Sequence, residues 1–405
     1  MVFLFIIVYF LYGRTYDAFV VSLSPVLEKF YSQVLALLFS DGIMYIVILM
    51  LTRHVPRILP LIVCLIGQGI FSLVWSALAY RWYFHEFPPR KTVVVYDDDP
   101  SLADLGNMIK KYGLDNKFKV EKTYQVLDVI DNLDLLKDFD EVFLANIHSH
   151  QRNQLIKYCI GNDSQIYILP RIGDVIMSGA ERMHMLHLPF MHLARYSPRP
   201  EFYFLKRSFD LLASLLLFIL TSPFFLVVAL LIKFFDNGPI FYKQTRLTKN
   251  GKEFKVIKFR SMRVDAEKDG VARLSTGDDD DRITPIGKFL RKVRLDELPQ
   301  LLNIIKGDMS IVGPRPERPE IAKEYEEFLP EFSLRLQAKA GLTGYAQVYG
   351  KYNTTPYNKL EMDLMYIANP SIFEDLRIIF ATIKILFQSE STEGIEEGQE
   401  TAQKK

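Results

Sequence analysis

Long unbroken apolar runs fill the start of the chain, and one more stands near its middle. The opening stretch, MVFLFIIVYFLYGR, stays apolar for about a dozen residues, short of the roughly 20 that a helix needs to cross a bilayer. No basic region precedes it and no small-residue cleavage site follows, so it does not read as a signal peptide. It reads as a clipped or tilted span. Two fuller runs follow, Leu35 to Leu51 and Leu59 to Tyr80. The second ends in Arg81, Trp82 and Tyr83, an aromatic and basic border suited to a membrane interface. The large polar remainder places the cytosolic face after Arg81.

The fourth apolar run, Leu211 to Ile232, has Lys206 and Arg207 before it and Lys233 after it. Positive charge at both ends favours both ends on one face. Ser222 and Pro223 sit in its middle. Proline removes a helix hydrogen bond and clashes with the preceding turn, and a serine hydroxyl can take up the freed carbonyl. A helix-break-helix hairpin that enters one leaflet and returns fits this pattern, as does an ordinary kinked span.

Between Lys91 and Ile176 the runs shorten and alternate. Strands are predicted at Thr92–Tyr96, Phe118–Lys122, Glu141–Ala145 and Gln165–Leu169, with helices at Ser101–Tyr112, Gln125–Leu136 and Gln151–Tyr158. Such alternation predicts a doubly wound α/β unit. A dinucleotide site there needs a glycine-rich turn after the first strand. The turn is Tyr96-Asp97-Asp98-Asp99-Pro100, whose carboxylates repel a pyrophosphate. The unit is therefore read as a degenerate Rossmann-like domain. His148, His150, His184, His187 and His192 match no zinc spacing, and polar loop or strand histidines are the plainer reading. Pro198 and Pro200 mark the next boundary.

Beyond residue 200 there is no His and no Cys. Imidazole bases, thiolate nucleophiles and zinc chemistry are excluded from that half, leaving carboxylates, hydroxyls, Lys and Arg. A hairpin is predicted over Ile240–Met262 around Asn250-Gly251. It carries Gln244 and Arg246 on one strand and Lys258, Arg260 and Ser261 on the other. Clustered cations of this kind hold phosphate or face anionic lipid. Thr284 then caps a helix that starts at Pro285. A second helix is predicted from Asp296, with Pro299 in its first turn and Gly307 as its stop. Asp296 and Glu297 thus fall at a helix N-terminus, where the dipole keeps carboxylates ionised. Alone they read as a cap and a first-turn acid. The surrounding Arg and Lys residues and Gly313-Pro314-Arg315-Pro316 point instead to a phosphate-bearing substrate and a hard divalent ion such as Mg²⁺.

Composition narrows the classes further. Lys and Arg total 49 against 48 Asp and Glu, which argues against nucleic acid as a partner. Two cysteines, Cys64 and Cys159, cannot build a disulfide framework.

Five ordered blocks then bear on family. They are KRSFDLLASLLLFILTSP, GPIFYKQTRLTKNGKEFKVIKFRSM, DRITPIGKFLRKVRLDELPQLLNIIKGDMSIVGPRPE, AGLTGYAQVYG and YIANPSIFEDLRIIFATI, running from Lys206 to Leu386. Through them the chain resembles the bacterial sugar transferases, the polyprenyl-phosphate sugar-1-phosphate transferases also called monotopic phosphoglycosyl transferases, in their long form. The resemblance implies a membrane protein of α/β class with transmembrane helices in 1–88, the Rossmann-like domain in 89–198, a catalytic domain with a re-entrant helix hairpin in 199–388 and a disordered tail in 389–405. It implies Asp296 as nucleophile on the sugar-bearing phosphorus of a UDP-sugar, and Glu297 as catalytic partner and Mg²⁺ ligand. Lys258, Arg260, Arg291, Gln300 and Arg315 are the implied substrate-binding residues, and Ser222-Pro223 the re-entrant break. UMP leaves, and polyprenyl (undecaprenyl) phosphate takes up the phosphosugar. The implied setting is the bacterial cell membrane, with the catalytic domain on the cytoplasmic face, at the first step of capsular or exopolysaccharide synthesis. Homo-oligomerisation stays open. Thr248 stands where the family usually has Gly, a departure expected to loosen the hairpin. Two other classes compete: a membrane-anchored sugar-nucleotide oxidoreductase, which needs the missing glycine-rich turn, and a non-catalytic scaffold of a polysaccharide assembly.

Overall fold

A computed structural model describes residues 1–97, 105–196, 198–236, 238–264, 266, 280, 282–350 and 354–386. Asp98 and Asp99 of the acidic turn, and the tail 389–405, lie outside the described residues. The chain divides into two units, Met1–Arg171 and Ile172–Lys405.

The first unit begins with three apolar helices, α1 (Val2–Thr15), α2 (Val26–Thr52) and α3 (Ile58–Glu86). The last two are long and apolar enough to cross a membrane, whereas α1 is shorter. Polar side chains inside an apolar helix pair need partners from the protein. Gln33 supplies them here: its Nε2 donates to the Ala18 carbonyl at 3.2 Å, and its Oε1 accepts from Ser76 at 3.2 Å and from Ser72.

A four-stranded parallel sheet follows, made of β1 (Arg90–Tyr96), β2 (Phe118–Gln125), β3 (Glu141–Ala145) and β4 (Gln165–Leu169) in the order β2-β1-β3-β4. Helices α4 (Leu105–Lys111), α5 (Val126–Asp131) and α6 (Ser149–Gly161) connect them. The predicted strands are all present, and β3 and β4 have the expected ends. Val93, Val95, Val142 and Leu144 are buried on one face with Leu155 and Cys159 of α6, and Val94 is buried on the other, as expected for inner parallel strands. At the carboxyl end of β1, Asp97 accepts from the His148 backbone N–H at 3.3 Å and lies 3.8 Å from the Arg171 guanidinium.

The second unit opens with α7 (Ile172–Ser178) and a hairpin that the sequence did not signal, β5 (Glu181–Met185) and β6 (Leu188–His192). Its turn puts Leu186 and His187 at φ 53° and 63°. Such turns are usually announced by Asn or Gly, and neither is present. His184 and His192 are strand residues and His187 is a turn residue. Among the described residues no group of three or more His, Cys, Asp or Glu could hold a metal.

Helix α8 (Pro200–Asp236) runs through Pro223 and is the third helix long and apolar enough to span. Pro223 has no N–H for the Ile219 carbonyl, and the Ser222 hydroxyl donates to that carbonyl at 2.7 Å. Next come the antiparallel pair β7 (Phe241–Leu247) and β8 (Glu253–Phe259), then α9 (Pro285–Lys292), α10 (Gln300–Lys306), β9 (Ser310–Val312) and α11 (Pro319–Phe328). After these, β10 (Gly341–Thr343) pairs with β9, and α12 (Tyr345–Tyr349), α13 (Pro356–Ala368) and α14 (Ile372–Leu386) close the unit. One core joins Val312, Ile321, Phe332, Leu360, Leu364 and Ile378, and smaller clusters seat α10 on β8 and the far end of α8 on Phe259 and Leu290.

Candidate active site

The site is assembled where β8, the turn before α10 and the loop after β9 converge. Asn250 (φ 61°) and Gly251 (φ 73°) turn the β7–β8 hairpin as predicted. Thr248 does not loosen it. Its φ of −130° makes no demand for glycine, and its hydroxyl donates to the Asp308 carbonyl at 3.0 Å and accepts from the Ala340 N–H at 3.1 Å. Asn303 of α10 fixes β8 from the other side, accepting from the Ile257 N–H at 3.0 Å and donating to the Lys255 carbonyl at 2.9 Å.

Thr284 caps α9 by accepting from the Gly287 N–H at 3.0 Å, with Pro285 in the first turn. After α9 the chain turns at Arg294, a non-glycine residue held at φ 53°, a conformation that costs about 1 kcal/mol or more. The helix expected from Asp296 starts later, at Gln300, and Asp296 and Glu297 lie in a 3-10 turn, Leu295–Glu297. Pro299 is the reason. It cannot donate to the Leu295 carbonyl, and its ring opposes an α-turn there. Tighter bonds replace the ladder, with the Leu298 N–H donating to the Leu295 carbonyl at 3.2 Å and the Leu302 N–H to the Pro299 carbonyl at 3.1 Å. The turn separates the two carboxyls. Glu297 lines a small open cleft with Arg246, Lys258, Gln300, Arg315 and Gln347. Asp296 is buried beside it and is not among the lining residues.

Lys258 Nζ donates to Glu297 Oε1 at 2.8 Å, and Arg315 approaches the same oxygen at 3.6 Å. Burial alone would raise the Glu297 carboxyl; Lys258, Arg315 and Arg294 overcome it and hold the group well below the usual carboxylate range. Asp296 moves the other way. Burial pushes it up, with Glu297 adding to the rise, while Lys258, Arg291 and Arg294 pull against it. Among the described residues the Asp296 carboxyl has no hydrogen-bond partner. Both cations on Glu297 use Oε1. The pair therefore offers oxygen donors for a hard cation, and Mg²⁺ commonly takes one or two carboxylates plus substrate phosphates. The donor set fits that use.

Of the residues expected from the sequence, Lys258, Glu297, Gln300 and Arg315 meet in the cleft. Arg291 does not line it. Its Nε donates to the Ser261 hydroxyl at 2.9 Å, and its charge acts on Asp296. Arg260 is also outside the lining, buried with its guanidinium against Gly238, where a Cβ would lie 1.6 Å from Nη1.

Arg246, one of the hairpin cations noted from the sequence, also lines the cleft, whereas Arg335 carried no local signal. Arg246 donates to the Pro316 carbonyl at 3.0 Å, and burial lowers it to about 10. Arg335 donates to the Arg315 carbonyl at 2.9 Å and, through Nε, to Asp363 Oδ2 at 2.8 Å, with Nη2 2.6 Å from the same oxygen. These two arginines hold the adjacent Arg315 and Pro316 carbonyls of the Gly313–Glu317 loop. Gly341 lets β10 pass close to that loop, since a Cβ there would stand 2.2 Å from the Gly313 nitrogen. Gln347 donates to the Leu342 carbonyl at 3.1 Å, and its buried Oε1 has no partner among the described residues. The arrangement is one buried carboxyl beside a second carboxyl held ionised by cations, with further arginines on a stiff proline loop. It suits phosphoryl chemistry, where positioning and charge neutralisation dominate.

Comparison with known proteins agrees with this chemistry. The family model described as bacterial sugar transferase matches residues 202–389. A UDP-N-acetylgalactosamine-undecaprenyl-phosphate N-acetylgalactosaminephosphotransferase of Aeromonas hydrophila is 36% identical over 224 residues, covering 55% of this chain and 52% of that protein. An exopolysaccharide production protein PSS of Rhizobium leguminosarum bv. phaseoli is 46% identical over 188 residues, 44% of this chain and 93% of that protein. A UDP-glucose:undecaprenyl-phosphate glucose-1-phosphate transferase of Escherichia coli (strain K12) is 40% identical over 184 residues, 44% of this chain and 39% of that protein. The chain thus spans about half the length of the first relative, most of the second and well under half of the third. On these matches the chain belongs to the bacterial sugar transferase family.

Proposed function

We propose that this protein transfers a sugar-1-phosphate from a UDP-sugar to undecaprenyl phosphate, through a covalent intermediate on Asp296. The single observation that carries the reading is the unequal carboxyl pair: Glu297 engaged by Lys258 and Arg315, and Asp296 buried with no hydrogen-bond partner among the described residues. An Asp296 carboxylate oxygen attacks the sugar-bearing phosphorus. The bond from that phosphorus to the UMP oxygen breaks, and UMP leaves with the electron pair. A phosphate oxygen of the lipid then attacks the same phosphorus and returns the carboxylate. Neither half needs a proton moved, in keeping with a region that has no histidine. Two displacements in series predict ping-pong kinetics.

In this scheme Lys258 and Arg315 neutralise diphosphate charge, and Arg291 supports the buried Asp296 electrostatically. Gln300 and Gln347 Oε1 face bound nucleotide or sugar, and Arg260 braces the end of β8. Glu297, with Asp296 beside it, is proposed to hold Mg²⁺, which neutralises charge on the phosphates when bound. The setting proposed is the cytoplasmic face of the bacterial cell membrane, at the initiating step of capsular or exopolysaccharide synthesis.

We also propose that α8 is the re-entrant hairpin. Two contacts support a bend at Pro223. Arg207 donates to the Ile304 and Ile305 carbonyls at the end of α10, at 2.7 and 2.8 Å, while Ile232 packs with Phe259 and Leu290. In a straight helix residues 207 and 232 would stand about 37 Å apart, far for two residues that both contact the small region formed by α9, α10 and β8. The parallel sheet of the first unit is read as the degenerate Rossmann-like domain, with Asp97 at the end of β1 disfavouring a dinucleotide phosphate.

The test is a screen of UMP release across UDP-sugars with detergent-purified protein, with and without Mg²⁺. Release that depends on undecaprenyl phosphate and falls about 10³-fold or more in Asp296→Asn supports the reading. Wild-type turnover in that variant ends the nucleophile assignment, and no release with any UDP-sugar favours a scaffold.

A further inference from the structure

A second, roomier cleft lies in the same unit at the foot of α8, and it shares no lining residue with the first. Lys206, Arg207, Lys249 and Lys339 line it, with Asp210 as the carboxylate among its walls. Lys206 is paired with Asp375 at 2.6 Å, and Asp210 is spent on the Ser310 hydroxyl and the Ile311 N–H, at 2.8 and 3.0 Å. The other three cations have neutral partners. Arg207 donates to two backbone carbonyls, Lys249 to the Tyr203 hydroxyl at 3.0 Å, and Lys339 to the Gly307 carbonyl at 3.0 Å. Among the described residues none of the three has a carboxylate within ion-pair distance.

Three uncompensated cations around one cavity make a site of positive potential. Lys339 registers that field. Burial first, then the charges of Arg207 and Lys249, push its ammonium below the usual range, with Asp210 and Asp308 only partly opposing. The location selects the ligand. Tyr203, Phe204 and Leu205 are exposed beside the cleft, at the point where α8 becomes continuously apolar. Aromatic and basic residues at the end of an apolar helix sit at head-group level, and basic pockets there bind anionic head groups.

We propose that this cleft binds a phosphate group presented by an anionic membrane lipid, at a place separate from the reaction site. Lys249 and Lys339 carry most of the recognition, because both are accessible and have only neutral partners. The phosphate oxygens accept from the two ammonium groups while the acyl chains lie along α8.

Native mass spectrometry of the full chain in detergent, with phosphatidylglycerol added, tests the proposal directly. Wild type is expected to retain one tightly held lipid. Lys249→Gln with Lys339→Gln is expected to hold it about thirtyfold more weakly, from the attraction of two lysines near an anionic head group. Lys249→Arg with Lys339→Arg keeps the charge and is expected to retain the lipid, which separates recognition from a folding defect. Excess inorganic phosphate is expected to leave the lipid bound. Equal retention by wild type and the glutamine pair overturns the proposal. Displacement by inorganic phosphate overturns the lipid as the source and assigns the cleft to a free anion.

Discussion

The buried pair Arg335–Asp363 gives the sharpest test of how the proline loop is held. Arg335 is 3% exposed and Asp363 1%, so neither charge is rescued by solvent. Burial pushes the Asp363 carboxyl up, and Arg335 pulls it back by its charge and a 2.8 Å hydrogen bond. We hold the pair to be ionised. Removing one partner of such a pair costs about 3–5 kcal/mol, chiefly because the other charge stays buried. Asp363→Asn keeps the volume and one acceptor toward Arg335, which returns about 1 kcal/mol, and Glu317 remains 3.6 Å from the guanidinium. The net expectation is a loss of about 2–4 kcal/mol. For a unit of this size that lowers Tm by about 5–15 °C, measured by circular dichroism in matched detergent. Replacing both partners by apolar residues, Arg335→Met with Asp363→Leu, is expected to recover most of the stability. Turnover is not expected to recover, because the Arg315 carbonyl has lost its donor. An unchanged Tm in Asp363→Asn refutes the buried ion pair. Recovered stability with wild-type UMP release in the double variant refutes the positioning role.

Four further outcomes are expected. Lys258→Gln removes the Glu297 partner at 2.8 Å and should lower UMP release by about a hundredfold, the cost of losing one preorganised donor; unchanged release contradicts the role given to Lys258. Gly341→Ala drives a Cβ into the Gly313 backbone at 2.2 Å, so a sharp fall in Tm is expected, and a wild-type Tm contradicts that close approach. Glu361 is buried and raised to about 7, first by burial and then by Asp174, with a Tyr357 hydrogen bond opposing. Because the folded value lies above the ordinary 4.5, its contribution to stability is full below pH about 4.5 and is lost as pH rises toward about 7, at no more than about 1.4 kcal/mol per pH unit; Glu361→Gln should flatten that slope. Chelation by EDTA should abolish UMP release and Mg²⁺ restore it, and release in EDTA contradicts the metal proposal.

Much of this fold was legible wherever one local rule dominated. Continuous apolar runs marked β1 and β3, because inner parallel strands are buried on both faces, and the same kind of run marked β4 although that strand lies at the sheet edge and is largely exposed. Asn250-Gly251 announced the β7–β8 turn, Thr284-Pro285 the start of α9, and Ser222-Pro223 the local bonding inside α8. Long-range pairing was not legible. Arg335 meets Asp363 across 28 positions and Arg246 meets Pro316 across 70, and no periodicity encodes either. The hairpin at Leu186-His187 was missed because both residues take positive φ without Gly or Asn. The α10 start was misplaced because Pro299 was read as tolerated in a first turn, whereas it converts that turn to 3-10 geometry. Thr248 departs from the family's usual Gly, and its value comes from two partners 60 and 92 residues away, which that comparison does not encode.

The central claim is that Asp296 becomes covalently bonded to the donor. Purified protein given a UDP-sugar without the lipid acceptor, quenched and digested, isolates that step for mass spectrometry. The account predicts a peptide containing Asp296 made heavier by a sugar phosphate, absent from Asp296→Asn and discharged when undecaprenyl phosphate is added. An adduct on another side chain, or lipid product formed while no adduct appears, contradicts it.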